Sequence, residues 1–206
     1  MNIAVLGAPG CGKGTQAKLL ATHFGLKHFS LGETLRMEVE KGTELGWKTQ
    51  TYISKGVLVP EPIVLEVFES FVTRNANREL ILDGYPRTMV QAEALDTLLN
   101  LSSVILFQVA EEEILARVSG RVVDSKGRSY NLQSNPPPAE VQYKRRNDDR
   151  PEVVQERFRE YCRDIVPIEH HYRQQGILLN VNATGAIGSI LDQLLGSLRE
   201  ASESTE

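Results

Sequence analysis

Apolar and polar positions along the chain fall into two patterns. Short unbroken apolar runs predict strands buried on both faces, and hydrophobic residues recurring every three or four positions predict amphipathic helices. Residues 2–6 (Asn-Ile-Ala-Val-Leu) form the first apolar run, and residues 16–24 the first helical pattern. A short strand is predicted at 28–30, then a helix from Ser30 or Gly32 to Lys41, closed by Gly42. A small helix follows at 45–54. Residues 57–60 read as extended, because Pro60 keeps its predecessor out of the helical region.

The same two patterns then alternate: helix 63–73, strand 79–83, helix 88–100, strand 103–109, helix 111–119. Strands alternating with helices predict an α/β fold, a three-layer P-loop parallel sheet of about five strands flanked by helices. At Gly120 the periodicity breaks, and residues 121–150 are polar, with a turn at 124–127 and prolines at 136, 137 and 138. Polar segments of this length inside compact domains are lids, binding loops or disordered; this one reads as a mobile lid, with permanent disorder as the alternative, because Val122, Val123, Tyr130 and Leu132 suggest a small hairpin within it. A long helix is expected from Pro151 to about residue 175, bent at Pro167. A last strand at 177–181, a helix from Thr184 or Gly185 to about 198, and a frayed tail at 201–206 complete the pattern. Residues 1–206 thus read as one domain carrying two insertions, 30–59 (short helices) and 121–150 (the lid).

Charge and composition narrow the function. Twenty-seven acids against 23 bases leave a net charge of -4, so no global basic field exists to hold nucleic acid or an anionic membrane. Cys11 and Cys162, far apart, provide neither a disulfide framework nor the thiolates of a structural zinc site. No apolar stretch approaches membrane-spanning length, and the expected location is cytoplasmic.

Chemistry is concentrated where the first strand meets the first helix. Gly7, Gly12 and Lys13 have P-loop spacing, in which backbone N–H groups and a helix N-terminus surround phosphate oxygens and the lysine adds a full charge. Gly14 stands where the general motif has Ser or Thr, and Thr15 follows. Asp83 ends an apolar strand, a position suited to orient the water shell of a Mg²⁺ that accompanies ATP. Arginines at 36, 87, 117, 121, 146 and 157 come from segments that converge on one cleft, as charge neutralisation during phosphoryl transfer would require.

The segment Gly7-Ala8-Pro9-Gly10-Cys11-Gly12-Lys13-Gly14-Thr15 resembles adenylate kinases among the nucleoside monophosphate kinases. So do Gly32-Glu33-Thr34-Leu35-Arg36, Leu58-Val59-Pro60, Asp83-Gly84-Tyr85-Pro86-Arg87 with Gln91, Gly120-Arg121, Asn135-Pro136-Pro137, Arg146 to Asp149, and Arg157, in order over nearly the whole chain. The resemblance implies reversible transfer of a phosphoryl group from Mg-ATP to AMP, giving two ADP, by a monomeric enzyme. It implies ATP on Gly10, Cys11, Gly12, Lys13, Gly14 and Thr15, with Arg117, Arg121, Ser129 and Tyr130. It implies AMP on Leu31, Arg36, Val57, Leu58, Val59, Gly84, Tyr85, Arg87 and Gln91, with 30–59 as the segment that binds it. Lys13, Arg87, Arg121, Arg146 and Arg157 would neutralise the transferring group, Arg146 and Arg157 also touching AMP, while Asp148 and Asp149 orient lid arginines. Departures are Leu31, where bacterial adenylate kinases typically have threonine and UMP/CMP kinases alanine, Val122 in place of a frequent second arginine, and a lid without zinc-binding cysteines. A pyrimidine monophosphate kinase and a non-catalytic P-loop nucleotide-binding module stand as alternatives.

Overall fold

A computed structural model describes residues 1–125 and 127–203. Its centre is a parallel five-stranded sheet of β1 (Ile3–Gly7), β2 (Lys27–Ser30), β3 (Leu80–Asp83), β4 (Ser103–Gln108) and β8 (Leu178–Asn182), in the order β2-β3-β1-β4-β8. β1 pairs with β3 on one side and β4 on the other, so the strand order reverses at β1, where open parallel sheets form a ligand crevice at the strands' carboxyl ends. Register places Val5 beside Asp83 and Gly7 beside Phe107 at that crevice.

Both faces of the sheet are buried, and its side chains sort by period two. Ala4, Leu6, Leu80, Leu82, Val104 and Leu106 pack with Phe29, Phe68, Tyr85, Leu95, Ile168 and Tyr172 on one face. Ile3, Val5, Ile81, Ile105, Phe107 and Val181 pack with Ala17, Leu20, Ile190, Leu194 and Leu198 on the other. The first face is covered by α4 (Glu61–Arg74), α5 (Met89–Leu98) and α7 (Pro151–Gln174), the second by α1 (Lys13–Phe24) and α8 (Ile187–Glu203). Each fully buried large apolar side chain contributes about 1.5–3 kcal/mol, which makes this double core the main source of stability.

The insertions are built as the polar pattern implies. Residues 30–59 hold α2 (Leu31–Lys41) and α3 (Glu44–Lys55), the latter capped by Thr43, whose hydroxyl accepts from the Gly46 N–H at 3.1 Å. α6 (Glu111–Ser119) leads into the lid, which is more than the expected hairpin. β5 (Arg121–Asp124), β6 (Ser129–Asn131) and β7 (Tyr143–Lys144) make a three-stranded antiparallel sheet, with the two-residue β7 returning along β5. The turn expected at 124–127 includes Lys126, outside the described residues; Gly127 N–H donates to the Asp124 carbonyl at 3.1 Å.

Other boundaries shift for local reasons. α1 begins at Lys13 rather than at residue 16, because Gly12 takes φ 96° and starts the helix inside the glycine-rich loop. The expected bend at Pro167 does not interrupt α7. α8 begins at Ile187 instead of 184 or 185 and continues to Glu203, so residues 201–203 are helical, while 204–206 of the expected tail lie outside the described residues.

Tyr85 belongs to the core, not to the crevice. It is fully buried and stacks on Phe68, ring centroids 4.1 Å apart, with Phe29 edge-on at 6.2 Å. The Gly84 turn, at φ 67°, sends the neighbouring Arg87 outward and leaves Tyr85 facing inward. Its hydroxyl is buried with no hydrogen-bond partner among the described residues. Burying an unpaired hydroxyl costs about 1–3 kcal/mol. Tyr85→Phe is therefore expected to leave stability unchanged or raise it by about 1 kcal/mol in urea-induced unfolding; a loss of about 2 kcal/mol or more would contradict this placement.

Candidate active site

The loop between β1 and α1 is shaped for an anion. Gly12 turns the chain into α1 through its positive φ, so the helix N-terminus, Lys13 to Thr15, lines the cleft. Gly14 allows a close approach: a Cβ there would lie 2.9 Å from Asp83 Oδ2, so a larger residue would force the loop or the carboxylate to shift. The glycine at the position where the general motif has Ser or Thr is thus explained by the packing of loop against carboxylate.

Around this loop lies a cleft of about 810 Å³. Gly10, Cys11, Gly12, Lys13, Gly14, Thr15, Arg117, Arg121, Ser129 and Tyr130, all expected on the donor side, line it. A second, smaller lobe is lined by Leu31, Arg36, Val57, Leu58, Val59 and Gln91, all expected on the acceptor side. Gly84 lines a recess that opens between β3 and α7 beside Lys13 and Arg87. Arg36, Arg87 and Arg157 line both lobes, and Arg146 lines the larger. Of the residues expected to contact nucleotide or metal, Tyr85 alone lines neither the lobes nor the recess.

Each cation in the cleft is held in place by a specific partner. Lys13 Nζ donates to the Ala8 carbonyl at 3.0 Å; burial lowers the ammonium, against the opposing charge of Asp83. Arg87 Nε donates to the Gly84 carbonyl at 2.9 Å, and burial lowers this guanidinium too. Arg121 forks onto Asp149, with Nε to Oδ2 at 2.8 Å and Nη2 to Oδ1; burial disfavours its charge, but Asp149 more than offsets this. Arg157 Nη1 donates to Asp148 Oδ2 at 2.7 Å, and Arg36 Nη1 reaches the same oxygen at 3.5 Å. Arg146 has only a 3.3 Å contact with Ser129 Oγ and forms no ion pair among the described residues. Burial, followed by repulsion from Arg36 and Arg121, pushes Arg146 down to about 10. Burial pushes Arg157 down to about 10 as well, despite Asp148, so both stay charged at neutral pH.

One expected pairing changes. Asp148 and Asp149 do not both orient lid arginines. They sit on a 3₁₀ turn (Asn147–Asp149) between lid and α7, where Asp149 takes Arg121 from the lid and Asp148 takes Arg157 from α7 and Arg36 from α2. Arg117 lines the donor cleft, but its guanidinium already donates to the carbonyls of Cys11 and Ala183, each at 2.7 Å, and pairs with Glu113. It braces the P-loop from behind.

Asp83 is 8% exposed, with His28 Nε2 3.8 Å from Oδ2. Burial pushes its carboxyl up, but His28, Lys13 and Ser30 more than offset this and keep it below the usual range, ionised at neutral pH. Among the described residues no three His, Cys, Asp or Glu side chains converge as a metal-holding group. Asp83, an ionised carboxylate beside the glycine-rich loop, is the residue here that could hold a divalent cation through water.

Several residues of the site carry no sequence signal. Gln16 Nε2 donates to the Ile187 carbonyl at 2.8 Å and fixes residues 185–187, which wall the donor cleft. Glu61 accepts from Thr88 Oγ1 at 2.6 Å and from Gln91 Nε2 at 2.9 Å, bracing the acceptor lobe from behind. An acid in the first turn of a helix reads only as a favourable end charge.

A parallel sheet with a P-loop at its reversal point, a lid and a second lobe sharing arginines with the first define a P-loop phosphotransferase of the three-layer α/β type. The family described as Adenylate kinase matches residues 5–177. The chain is 39% identical to an adenylate kinase of Chloroherpeton thalassium over 96% of its length and 99% of that protein's. It is 38% identical to one of Methanothrix thermoacetophila over 94% and 96%, and 36% identical to one of Caldicellulosiruptor saccharolyticus over 96% and 99%. The chain belongs to the adenylate kinase family, whose work is nucleotide phosphoryl transfer. Among the described residues no helix is long and apolar enough to cross a membrane.

Asp148 gives a test of this charge arrangement. Burial pushes its carboxyl up, and Arg157, Arg36, Arg146 and Arg121 together pull it below 3.8. A depressed folded pKa contributes stability that is present above the unfolded value and is lost as pH falls through the folded one. Asp148→Asn is expected to lower stability at pH 7 by about 3 kcal/mol, since it leaves buried guanidiniums unpaired, and to lower it less below about pH 4. Urea unfolding of both proteins across the range from about pH 3 to pH 7 checks this.

Proposed function

We propose that the chain transfers the terminal phosphoryl group of Mg-ATP to AMP, reversibly, forming two ADP. The observation that carries this reading is that Arg36, Arg87 and Arg157 line both lobes of the cleft at once. A binding module for one nucleotide needs no second lobe walled by Leu31, Val57, Leu58, Val59 and Gln91, nor guanidiniums shared between the two.

In this reading the P-loop N–H groups and Lys13 hold the β- and γ-phosphates of ATP, and Asp83 holds Mg²⁺ through water. The metal, when bound, neutralises charge on the donor phosphates. Arg36 and Arg87 take the phosphate of AMP. An oxygen of that phosphate attacks the γ-phosphorus in line, forming the new P–O bond as the bond to the β–γ bridging oxygen breaks. The charge stays on ADP oxygens, and no covalent enzyme intermediate is required. Lys13, Arg87, Arg121, Arg146 and Arg157 stabilise the spread negative charge, each through a proton it does not give up. Arg146, lacking a carboxylate partner among the described residues, has its donors available to a phosphate.

Water must be kept out, because hydrolysis would compete with transfer. Lid and insertion already touch: Lys144 of β7 pairs with Glu40 of α2 at 2.7 Å, and Arg150 Nη2 donates to the Ser54 carbonyl at 3.2 Å.

With ATP as donor, AMP is expected to outperform UMP, CMP and GMP as acceptor; a coupled assay showing faster turnover of UMP or CMP would overturn the substrate assignment. Arg87→Ala is expected to lower kcat/KM about 10³-fold with an unchanged melting temperature, as loss of a transition-state arginine does. Unchanged turnover would refute its catalytic role.

A further inference from the structure

We infer that Glu61 is a positioning residue for acceptor specificity: by locking the orientation of the Gln91 amide, it makes the acceptor lobe select a 6-amino purine over a 6-oxo purine. The inference deepens the AMP reading and rests on it.

Gln91 is 2% exposed and lines the acceptor lobe, whereas Glu61 does not. Gln91 Oε1 accepts from the Arg87 backbone N–H at 2.8 Å, and its Nε2 donates to Glu61 Oε2 at 2.9 Å. A backbone N–H can only donate and an ionised carboxylate can only accept, so these two partners fix which end of the amide is oxygen and which is nitrogen. Glu61 is itself held, since the Thr88 hydroxyl donates to Oε1 at 2.6 Å and accepts from the Gln91 N–H at 3.3 Å. Thr88 caps α5 with the same hydroxyl, so the lock is anchored in the end of a helix.

A primary amide has four hydrogen-bonding positions, and the two used here leave one oxygen lone pair and one N–H for the ligand. That remaining pair, acceptor beside donor, matches the 6-amino group and N1 of adenine. Hypoxanthine and guanine present the reverse, an N1–H donor and an O6 acceptor. To meet them the amide must turn over, which would set its oxygen against the Glu61 carboxylate and its NH₂ against the Arg87 N–H. Discrimination through an unpaired buried polar group is far larger than through a change of shape. Leu31, which lines the same lobe, offers no hydrogen bond that could rescue the reversed base.

AMP and IMP separate this effect from size, because IMP reverses the pattern without adding the 2-amino group of GMP. In Glu61→Gln the Thr88 hydroxyl holds the new amide by its oxygen, so an NH₂ faces the Gln91 NH₂ and one of the two contacts that fix the Gln91 orientation is lost. The ratio of kcat/KM for AMP to that for IMP is expected to fall at least about tenfold in this variant, through the acceptor KM, while KM for ATP and the melting temperature stay at wild-type values. Glu61→Ala, which removes the acceptor without adding a donor, is expected to shift the ratio in the same direction but less. An unchanged AMP-to-IMP ratio in both folded variants overturns the lock. A wild-type enzyme that prefers UMP or CMP overturns the AMP reading instead, a result obtained before any variant is made.

Discussion

Repulsion among Lys13, Arg36, Arg87, Arg121, Arg146 and Arg157 is the constraint around which this molecule is arranged. Two like charges ~4 Å apart repel by about 4 kcal/mol at an effective dielectric constant near 20, and six cannot be gathered in a half-buried cleft without compensation. Asp83, Asp148 and Asp149 provide part of it, and the shortfall is visible in Arg146, which has no carboxylate partner among the described residues and, besides being buried, is opposed by Arg36 and Arg121. Excess positive charge of this kind is a standing preference for polyanions. The same imbalance that strains the protein alone favours two phosphate chains within it.

The fold supplies the geometry that makes the imbalance specific. Placing β1 between β3 and β4 sets Asp83 beside the end of the glycine-rich loop, and Gly14 lets the two approach closely. The 3₁₀ turn carrying Asp148 and Asp149 joins the lid to α7 and pairs at once with α2, α7 and β5. Three separately folded parts are thereby tied through two carboxylates on consecutive residues. On the proposed reading, a movement of lid or insertion would alter those ion pairs, which makes the turn a link between closure and the charge that phosphates meet.

Much of this was legible in the sequence where the signal is local. The first strand, the P-loop and the helix after it are contiguous, and unbroken apolar runs marked β3 and β4. The arginines were found by type and segment, but their partners were not, because Asp148 and Asp149 lie 112 and 28 residues from Arg36 and Arg121 and pairing follows from tertiary structure. Tyr85 was misplaced because it stands in a turn whose neighbours, Gly84 and Arg87, do line the cleft regions, while its own side chain turns back onto Phe68. β7 left no trace, since two exposed residues carry no periodicity. Glu61 is invisible for a different reason: its effect passes through Gln91, and nothing in a sequence distinguishes an acid that braces an amide from one that decorates a helix end.

The contacts that already join lid and insertion are of unequal weight, and the difference bears on how closure is driven. Lys144 and Glu40 are both more than half exposed, and such surface pairs contribute about 0–1 kcal/mol each. The Arg157–Asp148 pair is largely buried, so breaking it would leave uncompensated charge at a cost of several kcal/mol. A surface pair of that size can bias a lid but cannot hold it shut. Most of the driving force must therefore come from the cleft, where bound phosphates satisfy guanidiniums that the three aspartates alone leave in excess. On the proposed reading, closure depends on the charge of the ligands, and a cleft holding one nucleotide gains less from closing than a cleft holding two.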